Sequence, residues 1–153
     1  MNIDIRRAGT GDAETVSALN ADVQAVHVEA VPWLFKDAAM SVEAIERLLA
    51  KPDNHILIAS AGTMPVGYLF AEHRKIPETP LTHPYETFHV HHISVRATHR
   101  QAGIGRALMD ALRTAGGEFG VKRITADVWS FNDTARRFFA GQGLAPYMER
   151  LWI

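Results

Sequence analysis

"FHVHHISVRATHRQAGIGRALMDAL", residues 88–112, carries three signals in succession: an apolar strand-like run with three histidines, a glycine-bearing turn, and a helix. Ile104, Ala107, Leu108, Ala111, Leu112, Ala115 and Phe119 keep helical spacing, so the helix extends through Gly116 and Gly117. Ahead of it stand Arg100, Gln101, Ala102 and Gly103, with Ile104 and Gly105 at its mouth. The first turn of a helix holds backbone N–H groups without internal partners, and the macrodipole adds partial positive charge there. A diphosphate accepts those N–H bonds if it comes close to the main chain, an approach that glycine permits. Arg100 and Arg106 can add charge-assisted contacts. The plainer reading is a turn that merely needs glycine. The stretch lacks the Lys-Ser/Thr of a P-loop and the spacing of the dinucleotide fingerprint.

Working outward, "IDIRRA" alternates as a first strand, and Asp12 is placed to cap a helix carrying Val16, Leu19, Val23 and Val26. After "VPWLF" a second short helix runs from about Ser41 to the stop at Pro52. "HILIAS" and "VGYLFAEHR" are strands joined by the hairpin signal "AGTMP". "KIPETPLTHPYET" has three prolines and reads as a loop. Beyond the long helix, "RITADVW" is a strand, "NDTARRFFAGQG" a capped helix and "LAPYMERLWI" a final strand. The order is βααβββαβαβ, a mixed α/β (α+β) sheet with packed helices. No repeat or linker divides it, so residues 1–153 are expected to form a single domain.

The composition narrows the function. With 16 basic and 17 acidic residues the formal net charge is -1, which gives no bulk attraction to nucleic acid or an anionic membrane. There is no cysteine, hence no disulfide, catalytic thiol or cysteine–zinc site. The start "MNIDIRRAGTGD" is polar, and no long apolar span follows. The expectation is a cytoplasmic protein.

"ISVRATHRQAGIGRALM" resembles motif A of the GNAT superfamily of N-acetyltransferases, whose core is Arg/Gln-x-x-Gly-x-Gly/Ala after a strand. "NDTARRFFAGQGL" is similar to that family's second signature, matching at Asn132, Ala135, Phe138 and Gly143. The resemblance implies a mostly antiparallel central sheet with helices on both faces, and acetyl-CoA as co-substrate. Carried over, the amides around Gln101, Gly103, Ile104, Gly105 and Arg106, with Arg100 beside them, would hold the pyrophosphate. The backbone of Ile93 and Val95 would pair with the pantetheine arm. Asn132 and Phe138 would flank the cofactor, Asn132 also serving as a helix N-cap. The family's usual Tyr, which can protonate the departing thiolate, is replaced by Phe139. Tyr147 and Tyr85 are substitutes by spacing alone, and water is the simpler proton source.

Aminolysis of a thioester needs a neutral amine, so a base of moderate pKa must remove a proton, and imidazole suits that task. In a regular strand His89 and His91 share one face with Ile93 and Val95, while His92 faces the other way with Val90 and Ser94. "HVHH" resembles the His-x-His of arylalkylamine N-acetyltransferases, which implies His89 and His91 as base candidates. Two alternatives stand beside it: a hydrogen-bonded histidine pair with no chemistry, and a His-x-His chelate, for which no acidic cluster completes a metal shell. His92 reads as structural.

The family's geometry would put the acceptor between "HVEAVPWLFKDA" and "KIPETPLTHPYETF". Trp33 and Tyr85 offer stacking surface, and Glu29, Asp37, Glu78 and Glu86 could attract a cation. Alternatively Trp33, Leu34 and Phe35 simply pack the helix junction onto the core. The acceptor is then a small-molecule amine or a peptide. "MERLWI" could be an edge strand that pairs with another copy, giving a homodimer.

Overall fold

The computed structural model describes residues 2–153. Five strands and four helices follow in the order β1 (Ile3–Arg7), α1 (Ala13–Ala30), α2 (Val42–Leu49), β2 (Asn54–Ala61), β3 (Met64–Ile76), β4 (Tyr85–Val95), α3 (Ile104–Glu118), β5 (Ile124–Ala126) and α4 (Asp133–Gly141). The strands lie side by side in sequence order. All neighbours are antiparallel except β4 and β5, which run parallel because α3 crosses over between them. Gly62, at φ 62°, turns β2 into β3 in a two-residue hairpin closed by the Ala61–Met64 pair.

Each face of the sheet carries its own core. Leu57, Leu69, Phe88 and Val90 pack under Ile104, Leu108 and Leu112 of α3 and Phe139 of α4. On the opposite face Ile56, Ile58, Tyr68 and Phe70 meet Val16 and Leu19 of α1 and Ile45 of α2. The apolar stripe of α1 is buried only in its first half. Val26 is exposed, and the neighbouring His27 ring stands 5.0 Å from Phe35. Asp12 caps backwards rather than forwards, accepting from the Gly9 amide at 2.7 Å and both guanidinium nitrogens of Arg6 at 2.8 Å. Ser41 does cap α2, accepting from the Ala44 amide at 3.2 Å.

Two sequence expectations are corrected. The last strand is absent: residues 145–153 have no regular structure. Gly143, at φ 88°, ends α4, and Pro146 follows with no N–H to donate. The neighbouring edge strand β5 has only three residues, which leaves little ladder to join. The tail is held instead by Trp152, whose ring lies 5.5 Å from Trp33 and 5.6 Å from Trp129.

The second correction is the phase of β4. Phe70 opposes His92 and Ala71 opposes Val90, which leaves His91 as an extra residue in a β-bulge. The bulge resets the alternation. Val90, Ile93 and Val95 all face the α3 side, whereas the rings of His91 and His92 both meet Phe70 on the α1/α2 side. His89 joins them, its ring 5.0 Å from that of His91. Three imidazoles therefore share one face, and His89 and His91 do not share theirs with Ile93 and Val95.

Candidate active site

The site begins where the sheet opens. The β4–β5 ladder ends at Val90 and Ala126, while β4 continues to Val95. The Arg96 N–H bonds Val66 O at 2.8 Å toward β3. By the two-residue period of a strand, the main-chain groups of Val95 and Ile93 then point to the opposite edge, where β5 has departed. Val95 O on that edge accepts from Arg100 Nε at 3.0 Å. An extended chain with amide groups can add itself to such an edge, as a strand would.

The α3 N-terminus lies just beyond that edge in the chain. Gly103 precedes the helix at φ 79°, with Gln101 also in the left-handed region at φ 61°. No side chain caps this turn and no acidic residue occupies it, although α1, α2 and α4 each carry an acid in their first turn. The partial positive charge of α3 thus stays uncompensated within the chain. Arg106 Nε lies 3.8 Å from Asp110, so its cation is only loosely tied nearby. A Cβ on Gly103 would meet nothing within 4 Å, whereas one on Gly105 would come within 2.9 Å of the Phe138 ring. Gly105 thus lets the Phe138 ring of α4 lie directly on the first turn of α3, and a larger residue would have to displace that ring. Asn132 accepts from the Ala135 amide at 3.1 Å and caps α4. The open turn, its bare backbone and the flanking arginines fit a diphosphate.

On the α1/α2 face, the bulged His91 ring stacks on Phe70 at 4.6 Å and an interplanar angle of 22°. His91 Nε2 lies 2.9 Å from Glu72 Oε2, across the strand pair on β3. Burial raises the Glu72 carboxyl, but the His91 bond and the Arg74 charge outweigh it and hold the pKa below its ordinary value. The ionised carboxylate accepts, so His91 Nε2–H donates and the lone pair is left on Nδ1. Sequence reasoning missed Glu72. Only the register of β3 against β4 reveals it.

The other two histidines are bound differently. His89 is 5% exposed, with Nδ1 2.9 Å from Thr125 Oγ1. Burial, assisted by the Arg74 charge, lowers its pKa. His92 ends a buried chain in which the Met40 amide donates to Asn20 Oδ1 at 2.7 Å and Asn20 Nδ2 donates to Tyr68 Oη at 2.9 Å. Tyr68 then donates its hydroxyl hydrogen to His92 Nδ1 at 3.1 Å, which leaves the His92 proton on Nε2. Burial, with the His91 and His27 charges adding to it, pushes the His92 pKa down to about 4.

Trp33 is 73% exposed and Leu34 is also exposed. They do not pack the helix junction onto either core, contrary to that alternative reading. Trp33, Trp152, Trp129, Phe35 and Phe131 form instead a ring-to-ring series joining the α1–α2 loop, the segment after β5 and the tail. Trp129 and Trp152 escaped sequence reasoning because both fall in segments that read as strands, "RITADVW" and "LAPYMERLWI", whereas β5 stops at Ala126 and the tail has no regular structure. Tyr85 is set apart at the far end of β4, paired with Ile76 and covered by Arg123 at 5.7 Å. Along the strand it stands about 20 Å from His91. Phe139 is in the core and Tyr147 is exposed. Among the described residues no three His, Asp or Glu side chains converge as metal ligands would.

These burials predict an acid sensitivity. His55 is also pushed down to about 4, by burial first and then by Arg7 and His73. A depressed folded pKa means that the unfolded chain binds protons first. The stability from His55, His92 and His89 is full above pH 6.5 and drains as pH falls toward 4. From pH 7 to 5 His55 and His92 together are expected to cost about 3–4 kcal/mol, or about 7–15 °C in Tm. Calorimetric melting checks it; a flat Tm over that range would contradict it.

The comparisons with known proteins agree with this fold. The sequence matches the Acetyltransferase (GNAT) family over residues 20–144. The chain belongs to the GNAT family of acetyltransferases. No curated protein sequence matches it. Among solved structures, the tetramutant of the BH1408 protein from Bacillus halodurans superposes with a TM-score of 0.92 at 22% identity, covering 98% of each chain. Aminoglycoside N-acetyltransferase AAC(6')-Iy in complex with CoA gives 0.78 at 17% identity, covering 99% of this chain and 93% of that one. Ribosomal-protein-alanine N-acetyltransferase from Brucella melitensis biovar Abortus 2308 gives 0.70 at 22% identity, covering 99% and 98%. At these identities the likeness is one of fold. Among the described residues no helix is long and apolar enough to cross a membrane.

Proposed function

We propose that the protein is an acetyl-CoA-dependent N-acetyltransferase that moves an acetyl group directly to the primary amine of a small molecule. The His91–Glu72 pair at the β4 bulge, beside the point where β4 and β5 part, is the observation that carries this reading. Acetyl-CoA supplies an activated thioester. The amides of Ile104, Gly105 and Arg106, with Gln101, Gly103 and Arg100 around them, hold its diphosphate, and the outward edge of Ile93 and Val95 holds its pantetheine amides. Phe138 and Asn132 wall the same side.

His91 Nδ1 takes the proton that the amine must lose, directly or through a water. Glu72 fixes the ring and stabilises the imidazolium. His89 is the weaker base candidate, since it is buried and its Nδ1 is engaged by Thr125. The departing thiolate has an intrinsic pKa close enough to neutrality to leave without a strong acid, so Phe139 does not bar turnover. The absence of cysteine fits transfer without a covalent thioester on the protein.

One fold neighbour is an aminoglycoside N-acetyltransferase in complex with CoA, which supports the cofactor and small amines as a class. A second neighbour is named for acetylating a ribosomal-protein alanine, which keeps a peptide N-terminus as the second reading. Thiol release from acetyl-CoA over a panel of small amines and peptides tests both. Release that depends on an amine, with the acetylated amine recovered by mass spectrometry, is expected. Tight coenzyme A binding without turnover on any amine would instead indicate an acyl-CoA-binding module.

A further inference from the structure

Beside His91 the α1/α2 face opens into a groove of about 450 Å³ between α2 and strands β3 and β4. Its floor is apolar, with Phe70 and Leu48, and its inner wall is His91 and His92. Its outer wall is cationic. Arg47 of α2 and Lys51, two residues past the end of that helix, both line the space. Neither cation makes an ion pair within 4 Å among the described residues, whereas His91 on the opposite wall is paired with Glu72. The C-terminal turn of α2 favours cations through its macrodipole, which accounts for their presence there. It does not account for two unpaired cations turned onto the cavity that holds the His91 base.

We propose that this groove selects amines that also carry an anionic group, a carboxylate or a phosphate, held by Arg47 and Lys51 while the amine lies at His91. The inference deepens the transferase reading and rests on it. The apolar floor covers a short hydrocarbon spacer between amine and anion. Arg47 offers a planar fork suited to either oxyanion, and Lys51 adds a mobile point charge. The same two cations repel a polycationic acceptor. The substrate class therefore differs from the aminoglycosides named for the fold neighbours of lower TM-score.

The test uses matched acceptors that differ by the anion: 4-aminobutyrate against butylamine, phosphoethanolamine against ethanolamine, and kanamycin as the polycation. Within at least one pair kcat/KM is expected to favour the anionic member by about 10-fold or more, chiefly through KM, because the anion binds equally in the ground and transition states. The carboxylate and phosphate pairs separate the two possible anions. Added salt should shrink the preference, since the cations are exposed. In the Arg47→Gln, Lys51→Gln double variant the preference should fall to within about 3-fold, with coenzyme A affinity by calorimetry retained. Both positions are exposed, Arg47 on α2 and Lys51 just past its C-terminal end, so the fold is expected to tolerate both changes. Turnover that is equal within both pairs, or fastest on kanamycin, overturns this inference and leaves the transferase reading standing. A preference that survives in the double variant also overturns it. Coenzyme A binding with no acetylation of any amine overturns both.

Discussion

His91→Gln is expected to lower kcat by about 100- to 1,000-fold, with the KM for acetyl-CoA little changed. Glutamine keeps a polar group over Phe70 and can still donate to Glu72, but it offers no basic lone pair near neutrality. The effect should diminish as pH rises toward the pKa of the free amine, because the nucleophile then deprotonates without help. Glu72→Gln should cost less, about 10-fold, since it removes the orienting charge and leaves the base in place. His89→Ala should cost less than either. Steady-state kinetics across pH 6–9 read all three variants. A His89 variant that falls further than the His91 variant would reverse the assignment of the base.

The second large effect is expected at Gly105. A β-carbon there comes within 2.9 Å of Phe138 Cε2 and 3.2 Å of Cζ, so Gly105→Val is expected to displace the ring that lies against the α3 turn. The turn proposed to hold the diphosphate then loses its wall, and coenzyme A affinity should drop by about 100-fold or more. Gly105→Ala combined with Phe138→Leu separates the two causes. The smaller side chain makes room for the methyl group, so the melting temperature should recover. Gly103→Ala acts differently: at φ 79° the added Cβ meets no neighbour, and the cost is left-handed strain of about 1–2 kcal/mol. Coenzyme A affinity untouched in a folded Gly105→Val protein would remove α3 from the binding site.

The strand–turn–helix unit around Gly103 and Gly105 was legible because its signals are local: apolar period, punctuation and uncapped start all lie within 25 residues. The hairpin at Gly62 and the start of α2 near Ser41 were legible for the same reason. What escaped depends on partners far along the chain. The His91 bulge is a property of the β3–β4 pairing, and one extra residue moves His89, His91 and His92 onto a common face. Glu72 lies 19 positions before His91 and becomes its partner only through that register. The last strand failed because period-two alternation in "YMERLWI" shows what could pair, while a three-residue β5 leaves almost nothing to pair with. Trp152 then found Trp33 and Trp129 instead of a ladder.

Titrating coenzyme A into the purified protein in a calorimeter tests the central claim most directly. Binding at a single site, saturable at micromolar ligand and weakened by salt as expected for a diphosphate on main-chain amides and arginines, is the predicted result. Absence of binding at millimolar coenzyme A would contradict the account from the α3 N-terminus to the His91 base.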